Sequence, residues 1–388
     1  MHNKSWLSFV LALLVIGTVG AAQGPQFGQP LAGLPPDVLA QFEAGQEEFE
    51  SPEKVSEGLG PVFNDVSCVA CHSNPKVGGD SGITETRFGR ITKGKFDAMT
   101  EFGGSLLQVR GVDPARGCGP EIVPKEATII AKRKTTSLFG LGLVDHVPDA
   151  ALLELARAQR AITPEVAGQP SIVKDATSGR HRVGRFGWKA QVATLVTFAA
   201  DAYLNEMGIT SPTFPKDNLP NGDASRLEQC DGLKTDPEDH GDGVAAFTDF
   251  MTFLAPPPRG PITSQVTAGH AVFARIGCAS CHVQTLTTGP NAIDALDRVT
   301  FEPFSDFLLH DMGSLGDGIE QGAAGGRQMR TAPLWGLRVR TAYLHDGRAS
   351  TIEAAILAHD GQGRGAMGEY TRLDEASQRA LKAFLQSL

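Results

Sequence analysis

Gly269-His270-Ala271-Val272-Phe273-Ala274-Arg275-Ile276-Gly277-Cys278-Ala279-Ser280-Cys281-His282 ends in two cysteines separated by two residues and followed at once by a histidine. In this spacing both thiols can form thioethers to one haem while the adjacent imidazole ligates its iron. The pattern recurs as Cys68-Val69-Ala70-Cys71-His72. Two such motifs imply two covalently bound c-type haems, with His72 and His282 each giving one axial ligand. Phe63 stands five residues before Cys68, as Phe273 does before Cys278, a first sign of internal repetition.

The repetition continues downstream. Lys134-Thr135-Thr136-Ser137-Leu138-Phe139-Gly140-Leu141 matches Arg330-Thr331-Ala332-Pro333-Leu334-Trp335-Gly336-Leu337. After a three-residue offset His146 falls opposite His345 and Glu154 opposite Glu353. Motif, loop, basic-Thr segment and helix follow in the same order in both halves. The expected fold is therefore mainly α, two cytochrome-c-like domains with long irregular loops, each holding one haem. The N-terminal domain is placed at 37–255 with a helical insertion, and the C-terminal domain at 256–388, beyond Pro256-Pro257-Pro258.

Composition agrees with haem-filled cores joined by loops. The 388 residues include 45 glycines and 24 prolines, punctuation expected of irregular connections. The excess of 44 acids over 35 lysines and arginines gives a net charge of −9, which argues against nucleic acid as a partner. Lys4, the apolar run from Leu7 to Ile16 and the small residues Gly20-Ala21-Ala22 read as a signal peptide over 1–22. The run is short for a membrane span, so no transmembrane anchor is expected after cleavage, and residues 23–36 read as a linker. An exported, periplasmic chain permits disulfides; the haem motifs use four of six cysteines, which leaves Cys118 and Cys230 to pair. Helices are expected over 36–48, 191–207 and 244–254. The stretch 209–243 reads as a loop whose Asp231, Asp236, Asp239 and Asp242 are either calcium ligands or a solvated acidic surface.

The sixth ligand decides function, because an iron closed by two side chains shuttles electrons and an open one binds peroxide or dioxygen. In the C-terminal half His345 and His359 are candidates, with His310 and Met312 as rivals. In the N-terminal half His146 faces His345 in the repeat, but Gln159-Arg160-Ala161-Ile162-Thr163 offers nothing opposite His359. The asymmetry suggests a closed C-terminal haem and an accessible N-terminal one.

These residues together resemble the bacterial di-haem oxidoreductases described as putative peroxidases, distant relatives of the di-haem cytochrome c peroxidases and of the di-haem enzyme that matures methylamine dehydrogenase. The resemblance rests on both haem motifs, Gly184-Arg185-Phe186-Gly187-Trp188-Lys189-Ala190, Leu308-Leu309-His310-Asp311-Met312-Gly313, and residues 330–347. It implies that His359, fourteen residues after His345, is the second ligand of the C-terminal haem. The relatives carry Met or Tyr there, so a low-potential bis-histidine haem is implied. It also implies a catalytic carboxylate at Glu154, with Asp145 and His146 as neighbouring alternatives. The relatives' distal-loop histidine has no counterpart in residues 73–94, and their bridging tryptophan aligns with Phe139, although Trp188 is a second candidate. Arg330, Arg338, Arg340 and Arg348 are candidate partners for haem propionates.

The resulting reading is a di-haem oxidoreductase that reduces hydrogen peroxide at the N-terminal haem, with electrons relayed through the C-terminal one from a small c-type cytochrome or another periplasmic carrier. Alternatives are an electron-transfer cytochrome without substrate chemistry, a peroxide-driven oxidase or modifier of another protein or small molecule, and a haem oxygenase of polymers.

Overall fold

A computed structural model describes residues 26–388; the stretch read as a signal peptide lies outside them. Each half is built on one pair of crossing helices. In the N-terminal half Pro36–Glu50 crosses Asp242–Phe253, and in the C-terminal half Ser264–Arg275 crosses Glu375–Leu385. The first helix opens with Pro at its first turn beside Asp37, suited to the orphan N–H groups and the positive end of the dipole. It buries Val38, Phe42, Gly45 and Phe49, one stripe at helical spacing. The third opens with the Thr263 hydroxyl accepting from the Val266 N–H and buries Val266, Gly269, Val272 and Phe273.

The two crossings are the same device. A Cβ on Gly45 would lie 2.3 Å from the Ala246 carbonyl oxygen, and one on Gly269 would lie 2.0 Å from that of Ala380. Only glycine allows the backbones so close. Four residues beyond each glycine, Phe49 and Phe273 sit against His72 and His282, with ring centroids 5.9 and 6.3 Å apart. Four residues beyond each alanine, Phe250 and Phe384 meet those phenylalanines in tilted contacts with ring centroids 4.8 and 5.2 Å apart. The counterpart of Phe273 is therefore Phe49 rather than Phe63, which lies in the short strand Val62–Phe63 paired with Arg110–Gly111.

The expectation of a mainly α fold is corrected. The structure is 38% helical and 15% strand, a mixed fold with several small sheets. The largest has Thr84–Thr92 paired antiparallel with Lys95–Asp97, Leu106–Leu107 and Ile129–Lys134. A second hairpin joins Ser171–Lys174 to His181–Gly184. In Ile129–Lys134, Ala131 and Arg133 are buried while Ile130 and Lys132 are exposed, an alternation of period two. Its inward residues include cations, so the usual apolar-in, polar-out signature of a strand is absent.

Helix boundaries shift for local reasons. The expected 191–207 helix starts at Leu195, because Thr194 caps the Thr197 N–H and Phe186 bridges Val192 in extended backbone. The 209–243 stretch contains the helix Ala224–Cys230, started by the Asp223 carboxylate accepting from Ser225 and Arg226 N–H groups. The described part of the expected linker is seated on the protein: Phe27 contacts Phe139 at 5.5 Å and Pro30 bridges Leu254.

Cys118 and Cys230 are bonded across a sequence separation of 112 residues. Closing so long a loop restricts the unfolded chain strongly. Replacing both cysteines by serine is expected to destabilise the fold by about 2–4 kcal/mol, read as a lower urea midpoint at unchanged haem content.

Candidate functional site

Two cavities occupy the places that the haem motifs line. The C-terminal one, of about 400 Å³, is walled by Cys278, Cys281, His282, His345, Ile352 and His359, among others. The N-terminal one, of about 210 Å³, is walled by Phe49, Cys68, Cys71, His72 and the polar residues described below. A smaller cavity of about 40 Å³ shares Lys134 and Trp188 with the N-terminal one and Trp188, Arg330 and Arg340 with the C-terminal one.

The motifs are held alike. His72 N–H donates to the Cys68 carbonyl and His282 N–H to that of Cys278, both at 3.0 Å. His72 Nδ1 is 3.1 Å from the Gly79 carbonyl oxygen, and His282 Nδ1 is 2.9 Å from that of Phe304. Such a bond fixes ring and tautomer and leaves Nε2 as the ligand atom. Burial pushes both imidazoles down to about 4, so they are neutral, the form that binds iron. Burial pushes the Cys68, Cys71 and Cys278 thiols up to about 12, which disfavours a thiolate metal centre. All four motif cysteines are free of disulfides.

His359 lines the same cavity as His282, with its Nδ1 2.8 Å from the Ala355 carbonyl oxygen. Burial lowers it too, and its charge would further oppose protonation of His282. His310 also reaches this wall, but both its nitrogens are engaged: Nε2 with Asp306 Oδ2 at 2.9 Å and Nδ1 with Cys281 Sγ at 3.5 Å. Of the cavity histidines, His282 and His359 thus carry the orienting carbonyl bond and have a ring nitrogen left over.

The N-terminal cavity has a different chemistry. His72 is the one histidine among its lining residues, and Asp65, Glu85, Asp201 and Glu206 stand with it, beside Arg87 and Arg133. Phe198, Asp201, Ala202, Asn205 and Glu206 form one face of the helix Leu195–Met207 turned to the cavity. Burial, reinforced by the charge of Glu85, pushes Glu206 up to about 7, and burial pushes Asp201 up to about 6. Burial would raise Glu85 as well, but the Arg87 fork at 3.0 and 3.1 Å holds it below the usual carboxylate range. Asn64 Nδ2 donates to Glu206 Oε2 at 2.6 Å.

The carboxylate and its alternatives expected from sequence are elsewhere. Glu154 is 70% exposed and paired with Arg157. Asp145 lies near Arg185, and His146 Nδ1 is 2.8 Å from the Gly142 carbonyl oxygen. None of the three lines a described cavity. Sequence reasoning missed Asp201 and Glu206. Their signal was a pair of acids interrupting an otherwise apolar helix.

Several cations lack protein counter-charges. Arg330 is 7% exposed, and its bonds go to the carbonyls of Gly187 and Thr331; burial pushes it down to about 10. Arg340 also lines the C-terminal cavity, and burial lowers it as well. Arg133, which lines the N-terminal cavity, is different: its Nε pairs with Asp317 at 2.8 Å, while its Nη2 is buried and without a partner. Buried guanidinium groups without carboxylates, as at Arg330 and Arg340, fit the propionates of a haem. Arg338 is exposed at the surface, where it bonds the Pro258 carbonyl, and Arg348 pairs with Asp346, so neither is a buried cation without a counter-charge.

Trp188 lines both large cavities. Its Nε1 donates to the Lys134 carbonyl at 2.8 Å, its ring meets the His345 edge at 6.2 Å, and its own carbonyl accepts from the Arg330 N–H. Phe139 is 2% exposed in the core and lines neither large cavity. Of the acids singled out in 209–243, Asp236 joins Asp217 and Glu238 with carboxylate oxygens within 4.8 Å of one another. Asp239 instead accepts from the Gly243 and Val244 N–H groups. Among the described residues no helix is long and apolar enough to cross a membrane.

The family described as "Di-haem oxidoreductase, putative peroxidase" matches residues 122–388, more than half of the chain. No curated protein matches. Solved structures similar to this chain include hydrazine synthase of Kuenenia stuttgartiensis, with 14% identity, 98% of this chain and 100% of that chain covered, and a TM-score of 0.43. The diheme peroxidase BthA from Burkholderia thailandensis has 14% identity, 90% and 86% coverage, and a TM-score of 0.43. A MauG-like protein associated with microbial copper homeostasis has 15% identity, 95% and 94% coverage, and a TM-score of 0.39.

Proposed function

Because the chain belongs to the family of di-haem oxidoreductases named for peroxidase activity, we propose that it is an exported enzyme that reduces hydrogen peroxide at its N-terminal haem with electrons relayed through the C-terminal haem. One observation carries this division of labour. The C-terminal cavity has two oriented histidines, His282 and His359, on its walls, whereas the N-terminal cavity has His72 and a bank of carboxylates. Peroxide reduction consumes protons, and the N-terminal wall gathers carboxyl groups, Glu206 and Asp201, whose burial raises them towards neutral pH.

When bound, each haem supplies a redox-active iron, and an open one supplies the place where a peroxide O–O bond is cleaved. The chain's residues do the rest. Cys68 and Cys71, and Cys278 and Cys281, anchor the two groups covalently. His72 and His282, aimed by the Gly79 and Phe304 carbonyls, would each hold an iron, and His359 would be a further ligand for the C-terminal one. Glu206 takes a proton from one peroxide oxygen and returns it to the other, and with two electrons from the donor and two further protons the peroxide leaves as two waters. Its raised affinity for protons near pH 7 suits both halves of that transfer. Asn64 orients it, Asp201 stands beside it as a further proton carrier, and the ionised Glu85 raises its affinity for protons. Arg330 and Arg340, with the unpartnered Nη2 of Arg133, would hold propionates, and Trp188 supplies an aromatic path between the cavities. The electron donor is a small c-type cytochrome or another exported electron-transfer protein.

Replacing His359 by alanine tests the assignment of the closed site. The substitution is expected to convert one ferric low-spin signal to high spin and leave the other haem unchanged. Retention of that signal would move the ligand role to His345, His310 or Met312. A wild-type protein whose spectrum ignores both peroxide and cyanide would instead be an electron carrier.

A further inference from the structure

Tyr203 is one of three tyrosines in the chain and the one on the wall of the N-terminal cavity, with Cys68, His72 and Phe247. It is 6% exposed on the helix Leu195–Met207, and its ring meets Phe247 edge-on with centroids 5.0 Å apart. Gly243 packs beside it: a Cβ there would lie 3.3 Å from Tyr203 Cε1 and 3.5 Å from the phenol oxygen. The hydroxyl donates to Glu53 Oε1 at 2.6 Å. Glu53 is half-buried, and its own N–H donates at 2.7 Å to the carbonyl of Val66, two residues before Cys68. The ring thus lies on the haem cavity while the hydroxyl is tied to a carboxylate partly open to solvent. Burial, with that carboxylate beside it, pushes the phenol well above its usual value, and burial also raises Glu53. The resting side chain keeps its proton and has a base in contact with it. Tyr343, on the C-terminal wall, has Arg340 as its charged neighbour instead, and Tyr370 lines neither large cavity.

We propose that Tyr203 is a redox-active residue of the N-terminal site, giving one electron to the haem oxidised by hydrogen peroxide while its phenol proton passes to Glu53. The phenol O–H bond breaks, the electron goes to the haem, the proton goes to Glu53 Oε1, and a neutral tyrosyl radical remains. A phenol that loses an electron becomes a strong acid, so its electron leaves readily only where a base within hydrogen-bond reach takes the proton. The contact with Glu53 supplies that base. When an electron arrives from the exported donor, Glu53 gives the proton back and both side chains end as they began. One oxidising equivalent is thereby held on a side chain between the cavity and a carboxylate partly open to solvent. The inference rests on peroxide reduction at the N-terminal haem and extends it, since the oxidised site draws on a side chain as well as on the C-terminal haem.

The test uses the haem-loaded protein, made with ordinary or ring-deuterated tyrosine, mixed with hydrogen peroxide in the absence of an electron donor and frozen at successive times for electron paramagnetic resonance. The wild type is expected to lose its high-spin haem signal and to gain a narrow organic-radical signal whose shape changes on ring deuteration. Tyr203→Phe keeps the ring and its packing, and is expected to hold both haems with wild-type ferric spectra and to lose that radical. Glu53→Gln is expected to slow the appearance of the radical by about 100-fold. A radical that ignores ring deuteration or persists in Tyr203→Phe would overturn the assignment, and so would loss of the high-spin signal with no organic radical at all. Wild-type kinetics in Glu53→Gln would overturn the path given to the proton. A high-spin signal that peroxide leaves untouched would overturn the inference together with the reading on which it rests.

Discussion

Glu206→Gln is expected to lower peroxide turnover by about 10²- to 10⁴-fold, the usual span for removing a positioned general acid–base group. Glutamine keeps the size of the side chain and its bond from Asn64, so haem content and both ferric spectra should stay as in the wild type. The loss should fall on the step after peroxide binding and be visible in single-turnover mixing. Glu154→Gln is the matched control. Its carboxylate is 70% exposed and paired with Arg157, and its removal should leave turnover within about twofold, since surface changes of this kind rarely exceed ±0.5 kcal/mol. The reverse result, with Glu154 essential and Glu206 dispensable, would move proton transfer out of the N-terminal cavity.

Asp317→Ala is expected to destabilise the protein by about 3–5 kcal/mol, as breaking a buried ion pair does when it strands its partners. Asp317 joins the halves: its carboxylate meets Arg133 Nε at 2.8 Å and Lys189 Nζ at 2.9 Å, and all three side chains are at most 1% exposed. Burial would raise Asp317, but two cations facing one carboxylate hold it below its usual value. The same burial lowers Lys189 and Arg133, which share this carboxylate and are only partly compensated. A depressed carboxylate stabilises the fold above its unfolded value of 3.8 and loses that contribution as pH falls through the folded one. Urea midpoints should therefore separate wild type from Asp317→Ala at neutral pH and converge in acid. An unchanged midpoint at neutral pH would show that the two halves are joined by other contacts.

Much of the site was legible in the sequence because covalent chemistry imposes short, fixed spacings. Cys68-x-x-Cys71-His72 and its partner need no tertiary information, and the placement of His359 follows from the repeat and the resemblance together. The repeat itself was visible but partly misaligned. Gly45 and Phe49 match Gly269 and Phe273, and Ala246 and Phe250 match Ala380 and Phe384, all at spacing four. The distance from Phe49 to Cys68 exceeds that from Phe273 to Cys278, however, which hides the correspondence. The strands escaped notice because Thr84–Thr92 and Ile129–Lys134 turn Arg87, Arg133 and Glu85 towards a cavity. Their inward face is charged, and hydrophobic periodicity reads such a segment as loop. Glu206 escaped for a related reason: its neighbours in space are Asn64 and Glu85, more than a hundred residues away, and no local pattern marks that meeting. Glu154 was implied by the resemblance, but the helix Asp149–Ile162 directs Gln159, not Glu154, into the interior, where it binds Asp306.

The most direct measurement is the electron paramagnetic resonance spectrum of the ferric protein as isolated, before and after one equivalent of peroxide. One low-spin signal from the haem between His282 and His359, and one high-spin signal that alone responds to peroxide, is the expected result. Two low-spin signals indifferent to peroxide, with Met207 or Met251 of the N-terminal cavity wall closing the second iron, would contradict the account.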